Sequence, residues 1–126
     1  MGQKKKILLI EDVKEVRTMV STRLRAHGYD VVAAKDGQEG ITKVEKEKPD
    51  LVITDLALPK MTGNVIVRIL KKSPQYKHIP IIMLSAFVHE DMGKAVEVPA
   101  DVYMPKPFEG EVLVGKVEEL LGGKTA

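Results

Sequence analysis

The side chains best suited to chemistry fall in four short stretches: the acidic pair Glu11-Asp12, then Asp55, Ser85 and Lys106. Each directly follows, or closely trails, an apolar run. Three carboxylates brought to one place repel one another, and at least one tends to protonate unless a cation intervenes. A hard divalent ion removes that conflict. Mg²⁺ takes one or two carboxylates together with waters and phosphate oxygens. The sequence has no cysteine, and His27, His78 and His89 are scattered without partners at metal-ligand spacing, so zinc is not expected.

To meet, these residues need a fold that brings distant strand ends to one edge, and the hydrophobic pattern predicts one. Lys6-Ile-Leu-Leu-Ile10 is a continuous apolar run suited to a strand covered on both faces. Val13, Val16, Val20 and Leu24 recur at helical spacing until Gly28. Val31–Ala34 reads as a second strand. Asp36-Gly-Gln-Glu39 reads as the capping box of a helix that should stop before Pro49. Leu51–Thr54 makes a third strand ending at Asp55, and a loop with Pro59 and Gly63 leads to a helix through Val65, Ile66, Ile69 and Leu70. Pro80 opens a fourth strand over Ile81–Leu84, and a weaker helix follows from Val88 to Val96. Asp101–Met104 is a short fifth strand, and Leu113, Val117, Leu120 and Leu121 mark a last amphipathic helix. Five strands alternating with five helices predict an α/β fold, a doubly wound parallel sheet with helices on both faces. Ligands of such sheets sit beyond the carboxyl ends of the strands, which is where the acids, Ser85 and Lys106 fall.

The chain has 126 residues, enough for one domain, with a core over about 6–121 and a tail over 122–126 that should fray. Its 20 basic and 18 acidic residues leave a net charge of +2, no footprint for direct nucleic-acid binding. Lys4-Lys5-Lys6 reads as a solvated entry to the first strand. No apolar stretch approaches the roughly 20 residues that span a bilayer, and the pattern of a secretory signal is missing at the start. A cytoplasmic protein is expected.

The ordered pieces Glu11-Asp12, Asp55-Leu-Ala-Leu-Pro59-Lys-Met-Thr-Gly63, Leu84-Ser85-Ala86, Ala100-Asp101-Val-Tyr103 and Lys106-Pro107-Phe108 resemble the receiver domain of two-component response regulators. The resemblance runs from Ile7 to about Leu121 and covers single-domain, chemotaxis-regulator-like receivers. It implies a flavodoxin-like strand order 2-1-3-4-5. It also implies that Asp55 accepts a phosphoryl group from a phosphohistidine on a histidine kinase or phosphotransfer protein. Asp12, Asp55, the Ala57 backbone carbonyl and Glu11, directly or through water, would hold Mg²⁺. Lys106 would neutralise the phosphoryl oxygens and the Ser85 hydroxyl would bond one of them. Ser85 and Tyr103 would then act as a switch that reshapes the face formed by the fourth helix, fifth strand and fifth helix. Phosphoryl transfer passes through a loose transition state, so positioning and charge stabilisation do most of the work. The resemblance further implies a switch rather than a turnover enzyme. Its partner would be a downstream target or a separate output domain, and it would act as a monomer or a phosphorylation-linked dimer.

Simpler roles exist for the same residues. Asp12-Val-Lys-Glu15 also fits a capping box in which Asp12 is the N-cap of the first helix. Tyr103 also suits ordinary packing. The sequence departs from the family where Pro99 replaces a frequent glycine, where Leu58 replaces a frequent methionine, and where Pro105 precedes Lys106. The Lys106–Pro107 bond is expected to be cis, as in receivers generally. The alternatives are a receiver-fold binding module that is never phosphorylated, a metal-dependent phosphatase, and a flavodoxin-type cofactor binder. Ala57 stands where an aspartyl-nucleophile phosphatase commonly carries its acid/base, and Glu11-Asp12 would repel a bound phosphate unless a metal lay between.

Overall fold

The structure is a computed structural model and describes residues 4–86 and 99–122. The expected helix over 88–96, His89 and the tail residues 123–126 lie outside the described residues. Five parallel strands, β1 (Lys6–Ile10), β2 (Asp30–Ala34), β3 (Leu51–Asp55), β4 (Ile81–Ser85) and β5 (Val102–Pro105), form one sheet in the order β2-β1-β3-β4-β5. The described helices are α1 (Lys14–Ala26), α2 (Gly37–Glu47), α3 (Gly63–Lys71) and α4 (Gly110–Leu120).

The central strands read as unbroken apolar runs because both of their faces are covered. Ile7, Leu9, Leu51, Ile53, Ile82 and Leu84 point into a core shared with Val20 and Leu24 of α1 and with Leu113, Val114 and Val117 of α4. Leu8, Ile10, Val52, Ile81 and Met83 point the other way, onto Val44 of α2 and Ile66, Val67 and Leu70 of α3. The doubly wound sandwich expected from the alternation of elements is therefore present. Lys106–Pro107 is cis.

Some local expectations shift. β5 begins at Val102, because the Asp101 carboxylate is committed to the Ile81 N–H (2.8 Å) and the Lys71 ammonium (2.7 Å). In α3, Ile66 and Leu70 face the core as expected, but Val67 joins them and Ile69 is 40% exposed, so the buried face is rotated from the expected one. Asp36 does cap α2: its Oδ1 accepts the Glu39 N–H at 2.8 Å, and Glu39 Oε1 accepts the Lys35 N–H at 2.8 Å. α2 ends at Glu47, and Lys48 in a left-handed conformation turns the chain into Pro49. No described helix is long and apolar enough to cross a membrane.

Candidate functional site

Strand register alone converges the candidate residues. Ile10 of β1 lies beside Thr54 of β3, so Glu11 and Asp55 leave the sheet as neighbours. Asp55 lies beside Leu84, which places Ser85 immediately beyond it, and Ser85 lies beside Pro105, so Lys106 emerges next. Backbone bonds hold these ends in place: Glu11 N–H to Ala34 O at 3.0 Å, Leu56 N–H to Leu84 O at 2.8 Å, and Lys106 N–H to Ser85 O at 2.7 Å.

Glu11, Asp55 and Ser85 are buried, Lys106 is partly buried, and Asp12 is exposed. One carboxylate oxygen from each of Glu11, Asp12 and Asp55 lies within 4.8 Å of the others. Lys106 Nζ sits 3.0 Å from Asp55 Oδ2 and 3.4 Å from Glu11 Oε1. Burial pushes the Asp55 carboxyl above its usual range; the Lys106 ammonium pulls against this and the Asp12 charge adds to it. Burial likewise raises Glu11, opposed by the Val13 N–H and reinforced by Asp55. Burial works against the charge on Lys106, yet the bond and charge of Asp55, with Glu11, outweigh it and hold the ammonium above its usual value. One ammonium therefore faces two buried acids whose surroundings resist their charge, with the Asp12 carboxylate beside them. An oxygen-only, acid-rich cluster of this kind fits a hard divalent cation.

The expected cap at Asp12 is not formed. α1 starts at Lys14 with Val13 in the cap position and no side-chain cap bond. Glu11 does the local work instead, its Oε2 accepting the Val13 N–H at 3.1 Å. Its burial and its place at the strand end leave that carboxylate nearest the first free N–H, while Asp12 points to the cluster. Arg17, which sequence reasoning did not single out, donates from Nη1 to the Glu11 carbonyl at 2.8 Å and fastens the β1–α1 corner. Its spacing from Glu11 gave no signal, because the contact depends on where α1 begins.

Ala57 lies exposed in the β3–α3 loop at the same edge of the sheet. That loop is closed at its base by Gly63 N–H to Leu56 O at 2.9 Å. Gly63 is there for space: a Cβ would lie 2.5 Å from the Asp55 carbonyl oxygen and 2.7 Å from Met83 Sδ. Tyr103 is not gathered into the cluster. Its ring packs partly buried on the α2–α3 side of the sheet, and its Oη accepts the Ala100 N–H at 3.1 Å. His27 and His78 are exposed and are not part of the Glu11-Asp12-Asp55 cluster; His27 Nε2 lies 3.6 Å from Glu111 Oε1 instead.

Comparison with known proteins assigns a family to this architecture. The family model of the response regulator receiver domain matches residues 7–118. The alkaline phosphatase synthesis transcriptional regulatory protein PhoP of Bacillus subtilis is 39% identical over 118 residues, covering 93% of this chain and 48% of that protein. The chain thus spans about half the length of that relative. The chemotaxis response regulator CheY4 of Vibrio cholerae superimposes with a TM-score of 0.85 at 36% identity, over 94% of this chain and 99% of that one. The receiver domain of sensor histidine kinase PA1611 from Pseudomonas aeruginosa, solved with a magnesium ion coordinated in its active site cleft, gives 0.84 at 26% identity, over 96% of this chain and 100% of that one. With five parallel strands in the order 2-1-3-4-5 and a match along nearly its whole length, the chain belongs to the response regulator receiver domain family.

Proposed function

We propose that this chain is a single receiver domain, core about 6–121, that is switched by phosphorylation of Asp55. The observation that carries the reading is the position of Lys106 Nζ, 3.0 Å from Asp55 Oδ2, beside a three-carboxylate cluster. The Lys106 ammonium is the counter-charge of two buried acids in the resting chain. The same ammonium would meet incoming phosphoryl oxygens.

In this reading an Asp55 carboxylate oxygen attacks the phosphorus of a phosphohistidine on a kinase or phosphotransfer protein. An O–P bond forms, the P–N bond breaks, and the imidazole nitrogen leaves with the electron pair and takes up a proton. Glu11, Asp12, Asp55 and the Ala57 carbonyl are the groups that would hold Mg²⁺. When bound, the ion neutralises the acids and the phosphoryl oxygens. Lys106 contributes the second positive charge and Ser85, buried at the end of β4, the hydroxyl donor. Tyr103 then gives up its bond to the Ala100 N–H as the ring moves, and the face around β5 and α4 presents a changed surface to a cytoplasmic target or output domain. The chain acts by changing state, not by turning over a substrate.

Incubation with acetyl phosphate and Mg²⁺, followed by intact-mass measurement, tests this. One added phosphoryl group on the wild type and none on Asp55→Asn is the expected result. An unmodified wild type under conditions that give a beryllofluoride-insensitive spectrum would sink the proposal in favour of a phosphorylation-independent binding module.

A further inference from the structure

The β3–α3 loop, residues 56–62, is folded by a tight turn at Lys60. The Met61 N–H donates to the Pro59 carbonyl at 2.7 Å, and Lys60 takes a φ of 68°. A lysine in the left-handed region is disfavoured, and three-residue turns of this hand are strained. Something outside the turn must hold it.

Two contacts do so, both to the start of α2. Met61 packs so tightly on Gly37 that a Cβ there would lie 2.7 Å from Met61 Cβ and 2.8 Å from the Met61 carbonyl oxygen. Beside it, Lys60 Nζ lies 3.6 Å from Asp36 Oδ2. Asp36 is well anchored for this purpose, since it is buried and its other oxygen caps α2 through the Glu39 N–H at 2.8 Å. The lysine end is 60% exposed, so the pair adds little to global stability. Its effect is local. The loop is pinned at its base by Gly63 N–H to Leu56 O and at its tip by Lys60 and Met61, and Ala57 lies between the two pins.

We propose that Lys60 and Asp36 form a clasp that sets the β3–α3 loop, and with it the Ala57 carbonyl, for metal binding at the Asp55 site. Both are positioning residues. The inference rests on the magnesium-dependent reading above and adds to it a dependence on an ion pair outside the cluster. Charge alone makes the opposite forecast for one of them. Lys60 is a cation near a cation site, so its bare removal would tighten Mg²⁺ binding, whereas loss of a clasp weakens it.

The test is a double-mutant cycle on the whole chain at low ionic strength, with Mg²⁺ affinity read by calorimetric titration and thermal midpoints read in EDTA. Lys60→Asn removes the charge but tolerates positive φ, and Asp36→Asn keeps the cap while losing the ion pair. Each single variant should weaken Mg²⁺ binding about three- to five-fold, the scale of an exposed pair. The double variant should be no weaker than either single one, Lys60→Arg should retain wild-type affinity, and the midpoint of Lys60→Asn should be unchanged or raised. Unchanged or tighter Mg²⁺ binding by Lys60→Asn would overturn the clasp. A wild type that binds no Mg²⁺ would instead bring down the functional reading on which it stands.

Discussion

Lys106 Nζ bridges Asp55 Oδ2 at 3.0 Å and Glu11 Oε1 at 3.4 Å, so one ammonium serves two buried acids that leave the sheet on neighbouring strands. Removing it leaves those acids facing each other without a counter-charge. Lys106→Met should therefore cost about 1–3 kcal/mol of stability in EDTA, less than a fully buried pair because the lysine is partly open to water. Excess Mg²⁺ should recover much of the loss. Urea unfolding in the two conditions measures both numbers, and an equal deficit in each would contradict the shared role of lysine and cation.

The acids also set a pH dependence whose sign follows from burial. Glu11 and Asp55 have folded pKa values above their unfolded ones, near 4. Between the unfolded and folded values the folded chain binds more protons, so stability falls as pH rises through that window and stays at its lower level above it. In EDTA, stability should thus climb as pH drops from neutrality through the raised values. Asp36, lowered mainly by its bond from the Glu39 N–H, and Glu111, lowered mainly by Arg23, carry the opposite sign. Their contribution is lost only as pH falls through their depressed values, below the ordinary carboxylate range. Mg²⁺ should flatten the upper part of the curve, because an ion held as proposed would favour the charged acids. Unfolding midpoints across pH with and without the ion check this; a metal-free stability that rises steadily from pH 5 to 8 would be the wrong sign.

Gly63→Ala tests the packing behind Asp55. The new Cβ would press on the Asp55 carbonyl oxygen at 2.5 Å and on the Leu56 Cα at 3.0 Å, both backbone atoms that cannot swing aside. A loss of about 1–3 kcal/mol is expected, and phosphorylation by acetyl phosphate should slow more than tenfold because the shift falls on the proposed acceptor. Wild-type rates in this variant would show that the loop can give way without moving Asp55.

Tyr103→Phe removes the acceptor of the Ala100 N–H while keeping the ring. The unmodified state should lose about 0.5–1.5 kcal/mol. If the ring must leave that bond when phosphate arrives, the variant should bind beryllofluoride up to about tenfold more tightly. Fluorine NMR titration measures this, and an unaltered affinity would separate Tyr103 from the switch.

Much of this was legible in the sequence, and the exceptions have physical reasons. The strand ends could be placed because β1, β3 and β4 are apolar runs, so the polar Glu11, Thr54-Asp55 and Ser85 mark where each run stops. The inward face of α3 was harder. Val65, Ile66, Val67, Ile69 and Leu70 are all apolar, so the spacing fits two phases, and the choice falls to Gly63 packing against Asp55, which turns Ile66, Val67 and Leu70 inward. Asp12 matched a capping pattern, yet the helix begins two residues later and the buried Glu11 takes the first N–H. Contacts such as Lys60 with Asp36 and Arg17 with the Glu11 carbonyl carry no periodic signal. They exist only once the loops are in place.

The sheet order β2-β1-β3-β4-β5 has a consequence for motion. Glu11 and Asp55 hang from two of the three strands with partners on both sides, whereas Lys106 follows β5, which among the described residues is paired on one side only. Amides of the acid-bearing strands should exchange with deuterium only through global opening, and those around Lys106 through smaller local excursions. The anionic half of the site thus hangs from the interior of the sheet, and the cationic half from its rim.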